Sequence, residues 1–141
     1  MRRTSEEICV TIHSRLKELT KIEKISGKIA AKMSLSEDQH DNLSIAVTEA
    51  VGNAIVHGNK KDPKKKVYIT FQIDKDEIKV SVRDEGEGFN PDELSDPLDP
   101  KNILKDSGRG IFILKSLMDD VYFTFSPKGT TIHFILKKKC Y

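Results

Sequence analysis

With 141 residues the chain fits one domain and is long enough to bury a sizeable core. Charged residues make up 33% and apolar ones 37%, the balance of a globular rather than a disordered protein, and a net charge of +2 is too small to argue for nucleic acid. Only Cys9 and Cys140 are present, outside any C-x-x-C spacing, and neither a signal peptide nor an apolar run near the ~18 residues of a membrane span can be read, so the expectation is a cytoplasmic protein with reduced thiols and no anchor.

Ile8, Val10 and Ile12 alternate with Cys9 and Thr11, the pattern of a short half-buried strand. Leu16, Leu19, Ile22, Ile25, Ile29 and Met33 then recur at steps of three and four, which predicts an amphipathic helix. A second helix opens at Ser36-Glu37-Asp38-Gln39, where a serine cap with a glutamine three residues on forms a capping box, and runs to about His57, ending at Gly58. Val67-Ile69-Phe71-Ile73 and Ile78-Val80-Val82 flank the polar turn 74–77 and predict an antiparallel hairpin. Asn90 to Ser107 carries Pro91, Pro97 and Pro100 with little periodicity; a loop of that length inside a compact domain reads as a lid. A third helix over Ile111 to Met118 is entered through Gly108-Arg109-Gly110. Two final strands, Val121-Phe123-Phe125 and Ile132 to Leu136, are joined by Pro127-Lys128-Gly129. Three helices and five strands predict an α+β, two-layer sandwich, with the helices on one face of a mixed, mostly antiparallel sheet.

One carboxylate breaks an apolar face. The series Ile78, Val80, Val82 continues to Asp84, followed by Glu85-Gly86-Glu87-Gly88-Phe89, so an acid points inward and needs donors or a ligand that supplies them. A flat heterocycle with an exocyclic amine is one such ligand. Glu49, Asn53 and His57 are spaced by four and share one stripe of the second helix. The stripe reads either as plain solvated surface or as a site. Gly52 favours a site, because a glycine inside a helix is disfavoured by about 1 kcal/mol unless something approaches the backbone closely. A carboxylate and an amide oxygen one turn apart suit Mg²⁺; His57 reads as a helix-end cap rather than a ligand. Gly108-Arg109-Gly110 offers free N–H groups at a helix start to an anion, with Arg109 as a charge clamp. The third glycine of a dinucleotide fingerprint and a G-K-[ST] Walker loop are both missing. Gly129-Thr130-Thr131 is by itself a turn between strands. The lysine clusters at Lys60-Lys61, Lys64-Lys65-Lys66 and Lys137-Lys138-Lys139, like the basic face of the first helix, read as solvated surface, with phosphate steering open to the first two.

Taken in order, Glu49-Ala50-Val51-Gly52-Asn53-Ala54-Ile55-Val56-His57-Gly58, Asp84-Glu85-Gly86-Glu87-Gly88-Phe89, Gly108-Arg109-Gly110-Ile111 and Gly129-Thr130-Thr131 resemble the successive boxes of the GHKL ATP-binding superfamily, which includes gyrase, histidine kinases and mismatch-repair ATPases. The continuation through Asn59-Lys60, the small size and the G-R-G box most resemble the bacterial anti-sigma-factor serine/threonine kinases. The resemblance implies ATP and Mg²⁺ as cofactors. It implies that Asn53 holds the metal, that Glu49 is the general base and that Asp84 accepts from the adenine amine with Thr130 near the base. Gly86 and Gly88 would open room for the nucleotide, and Gly108, Arg109 and Gly110 would hold the phosphates, with Arg109 also spreading charge on the moving group.

The function so implied is an ATP-dependent anti-sigma factor that binds a sigma factor and phosphorylates a serine or threonine on an anti-anti-sigma protein. Neither nucleic acid nor membrane would be a direct partner, and homodimerisation is implied by the resemblance alone. Two alternatives stand beside it: a nucleotide-gated sequestering protein with little turnover, and a histidine-kinase-like ATPase domain. The second lacks its H-E-x-x-T-P-like phosphoacceptor segment, since His13 is followed by Ser14-Arg15-Leu16.

Overall fold

The computed structural model describes residues 5–86 and 108–138, and for 108 and 109 the backbone alone. The expected lid over 90–107, Gly88 and Cys140 lie outside the described residues. Strand β1 (Glu6–His13) is followed by helices α1 (Leu19–Lys32) and α2 (Glu37–Asn53), strands β2 (Lys66–Ile73) and β3 (Glu77–Arg83), helix α3 (Gly108–Leu117), and strands β4 (Asp120–Ser126) and β5 (Gly129–Lys137). The five strands form one sheet in the order β1-β2-β3-β5-β4.

Every pairing in that sheet is antiparallel, so the mixed sheet expected from the pattern is corrected to an antiparallel one. The reason lies in the connections. Two helices between β1 and β2 bring the chain back in the reverse direction. The single helix between β3 and β4 makes those two strands run the same way, but β5 inserts between them and pairs with both, from Ile78 opposite Leu136 to Val121 opposite Phe134.

Alternation places Val67, Ile69, Phe71, Ile78, Val80, Val82, Ile132, Phe134 and Leu136 on the helix-covered face, all buried. Ile22, Ile29, Leu43, Val47, Val51 and Leu114 meet them from the three helices. The first helix starts later than its apolar spacing predicts: Leu16 lies in a 3-10 turn, Leu16–Glu18, and is 46% exposed. Ser36 caps α2 as expected, its hydroxyl accepting from Gln39 N at 3.2 Å, and the Gln39 amide reaches across to donate to Lys137 O at 2.9 Å, tying α2 to the end of β5. The last turn of that helical segment widens into a π turn, Ala54–Gly58, in which Asn59 N donates to Ala54 O at 2.8 Å. Such turns recur where a helix end must present side chains to a site. Lys60 and Lys61 then take left-handed φ values of 53° and 60° and turn the chain toward β2.

Candidate functional site

Asp84 follows β3 directly and is 9% exposed. Its backbone N donates to Thr130 O at 3.0 Å, which continues the ladder with β5 by one residue. Its Oδ1 accepts from Gly86 N at 3.0 Å and from Thr130 N at 3.1 Å. Two backbone amides thus hold one carboxylate oxygen, and among the described residues Oδ2 has no hydrogen-bond partner. A carboxylate so held by one oxygen has an acceptor to offer through the other.

Three glycines allow this packing. A Cβ at Gly58 would stand 2.2 Å from Asp84 Oδ2, one at Gly86 would stand 2.3 Å from Gly58 O, and one at Gly129 would stand 2.3 Å from Asp84 O. The end of the π turn, the segment after β3 and the first residue of β5 therefore converge on a single carboxylate. Gly86, expected to open room for a nucleotide, first makes room for Gly58.

The second convergence is at Asn53, the last residue of α2. Its Nδ2 is buried and, among the described residues, without a hydrogen-bond partner. Gly110, in the first turn of α3, packs against it so closely that a Cβ there would lie 2.4 Å from Nδ2. The glycine-arginine-glycine segment is thus the opening turn of α3 itself, not a loop before it, because α3 begins at Gly108. Its backbone N–H groups stand where a helix start attracts an anion. The Arg109 side chain lies outside the description. Glu49, one turn before Asn53 on α2, is half-buried, and among the described residues nothing lies within 4 Å of where a Cβ on Gly52 would sit. His57 is exposed within the π turn that ends the segment.

Sequence reasoning named Asn59 and Glu85 only as members of motifs and gave neither a role. Asn59, 1% exposed, donates from Nδ2 to Ser14 Oγ at 2.7 Å and to Lys66 O at 2.9 Å, and its Oδ1 accepts from Glu85 N at 2.7 Å. The Glu85 carboxylate in turn accepts from Lys66 N at 2.5 Å and from the Tyr68 hydroxyl at 3.1 Å, while the Arg83 guanidinium lies 4.2 Å from the Tyr68 ring centroid. Partial burial and the Glu85 carboxylate push the Tyr68 phenol above its ordinary range. The available signal for Asn59 was a short amide directly after a helix-ending glycine, a place where such side chains bond to backbone.

Comparison with known proteins agrees with this geometry. The family model described as "Histidine kinase-like ATPase domain" matches residues 12–136. An anti-sigma F factor of Oceanobacillus iheyensis is 39% identical over 99 residues, covering 68% of this chain and 68% of the relative. The serine-protein kinase RsbW of Bacillus subtilis is 35% identical over 103 residues, covering 69% of this chain and 64% of the relative. The solved structure of the RsbU and RsbW domains of a Mycobacterium tuberculosis protein superposes with a TM-score of 0.70 at 14% identity, covering 96% of this chain and 33% of that one, a likeness of fold. With α-helices on one face of an antiparallel sheet, an inward carboxylate after the third strand and a helical asparagine beside a glycine-led helix start, the chain belongs to the histidine kinase-like ATPase domain family.

Proposed function

We propose that this protein is an ATP-dependent anti-sigma factor and serine/threonine kinase, which binds a sigma factor and phosphorylates an anti-anti-sigma protein that opposes it. The relatives at 34–39% identity carry both names, anti-sigma F factor and serine-protein kinase. The observation that carries the nucleotide part is the Asp84 carboxylate, fixed through Oδ1 by two amides and left with an open acceptor at Oδ2, in a setting made by glycines. That acceptor matches the exocyclic amine of adenine, with Thr130 beside it.

The donor set also fits a magnesium nucleotide. Mg²⁺ takes oxygen ligands, keeps much of its water and is held by one or two protein groups together with phosphates. Asn53 offers an amide one turn from the Glu49 carboxylate, and its buried unpaired Nδ2 is a donor that a phosphate oxygen would satisfy. Bound Mg²⁺ would neutralise charge on the phosphates. Glu49 takes the proton from the attacking serine hydroxyl as its oxygen bonds to the γ-phosphorus and the bond to ADP breaks. The N–H groups that open α3, with Gly108, Arg109 and Gly110, receive the phosphates, and Arg109 spreads the charge.

The test is transfer of label from γ-labelled ATP to whichever small protein encoded beside this gene carries a candidate serine. Phosphoserine or phosphothreonine is expected, and its formation should cease when EDTA removes the metal. Stoichiometric binding of that protein or of a sigma factor with no label transferred would overturn the kinase and leave a sequestering module.

A further inference from the structure

Asn59 lies outside the residues given roles above, yet no other side chain joins as many parts of the site among the bonds just described. From the π turn its single buried amide spans the ends of three neighbouring strands: Ser14 just after β1, Lys66 at the start of β2 and Glu85 two residues beyond β3. Ser14 is itself 1% exposed and fixed, its N and its hydroxyl both donating to Lys65 O at 3.1 Å and 3.0 Å. The bond at Glu85 N falls between Asp84 and Gly86. The Asp84 side chain takes its rotamer from Gly86 N and Thr130 N, and Gly86 can reach Oδ1 only while the peptide before it is held in place. Meanwhile Gly58, the residue before Asn59, flanks the carboxylate on the Oδ2 side and, lacking a Cβ, leaves that oxygen accessible. Fixing residue 59 therefore fixes both walls around Asp84.

We infer that Asn59 is the positioning residue for base recognition: its Oδ1, bonded to Glu85 N, sets the direction of the Asp84 carboxylate and with it the preference for a 6-amino purine. This rests on the reading that Asp84 recognises the base. Nothing in it requires Asn59 to touch the nucleotide. Loss of the bond leaves Gly86 free to move, so Asp84 loses direction while the groups at Asn53 and α3 stay as they were. The consequence is a loss of discrimination between bases rather than a general loss of binding.

The experiment measures dissociation constants of ATP and of ITP, which carries a 6-oxo group, for the full chain and four variants, with thermal unfolding alongside. The wild type should prefer ATP by about tenfold or more, the scale of one buried hydrogen bond left unmade, and Asp84→Asn should lose most of that preference. A wild type with no preference, or Asp84→Asn with the preference intact, would sink the reading of Asp84. With both behaving as expected, Asn59→Ala should reduce the ratio by about threefold or more. Ser14→Ala, which removes one of the two partners of Nδ2 and spares Oδ1, should lower the unfolding temperature without moving the ratio. Asn59→Asp retains an oxygen for Glu85 N and should hold the ratio near wild type despite lower stability. A folded Asn59→Ala with an unchanged ratio, or Ser14→Ala losing as much selectivity, would overturn the inference. If Asn59→Ala does not fold, Asn59→Asp decides: a kept ratio supports the oxygen's role and a collapsed one overturns it.

Discussion

Asp84 Oδ2 lies so near Gly58 that an added methyl group would stand 2.2 Å from it, well inside contact distance. Gly58→Ala must therefore displace either the carboxylate or the end of the π turn. Overpacking of this kind is destabilising by about 1–3 kcal/mol. The expected outcome is a lower unfolding temperature together with weaker ATP binding, read by thermal denaturation and calorimetry on one sample. Wild-type affinity in a folded Gly58→Ala protein would show that the closeness is incidental.

Gly52 and Gly110 make a contrasting pair. Gly52 lies in the interior of α2 with room for a Cβ among the described residues, so Gly52→Ala should raise stability by up to about 1 kcal/mol from helix propensity alone. If a nucleotide approaches that backbone, the same change lowers ATP affinity, a trade that calorimetry would reveal. At Gly110 the added methyl meets the Asn53 amide at 2.4 Å, so either the Asn53 side chain or α3 must give way. Helix propensity and crowding then oppose each other in stability. Binding should fall more for Mg²⁺-ATP than for ATP in EDTA, as expected if Asn53 serves the metal.

Glu49→Gln keeps the size and helix preference of the side chain and removes the carboxylate proposed as the base. Phosphate transfer should fall by about 10²–10⁴, the usual contribution of a positioned general base, while ATP affinity stays within a few-fold. Single-turnover transfer in a rapid-quench experiment reads the step directly. Equal rates in wild type and variant would take Glu49 out of the chemistry.

His133 points to a pH dependence of stability. On the open face of the sheet its Nδ1 lies 2.8 Å from Ser81 Oγ, its Nε2 lies 2.9 Å from Thr124 Oγ1, and its ring stacks on Tyr122 at 4.6 Å between centroids. Burial, and then the charge of Lys79, whose Nζ lies 5.4 Å from the Tyr122 ring centroid, hold the imidazole below its ordinary range. The unfolded chain therefore takes up the proton first, at about pH 6.5. The contribution of the neutral ring is complete above that value and is lost as pH falls from there through the folded pKa. Denaturant midpoints measured from pH 8 to pH 4 should show this decline in wild type and a smaller one in His133→Gln.

Period-two alternation made all five strands legible, and Ser36 marked the start of α2, because both are local signals that burial and capping enforce. Asp84 was legible for the same reason, as an acid in an apolar series. Strand order was not, since nothing in the alternation of Ile132, Phe134 and Leu136 says that this strand inserts between its predecessors. The π turn left no mark in side-chain spacing, because Ala54 and Ile55 are apolar in either kind of helix. Gly58 and Gly110 were visible as glycines, but what each one faces is set by tertiary packing, as is the partner set of Asn59.

The insertion of β5 has a consequence for synthesis and folding. Both amide contacts with Thr130, and the close approach of Gly129, come from the β4–β5 hairpin, with Thr130 46 residues after Asp84 in the chain. While a nascent chain ends before that hairpin emerges from the ribosome, its third strand has an uncovered edge and its acid lacks the donor that orients it. The carboxylate therefore gains its fixed direction only when the β4–β5 hairpin docks along the free edge of β3.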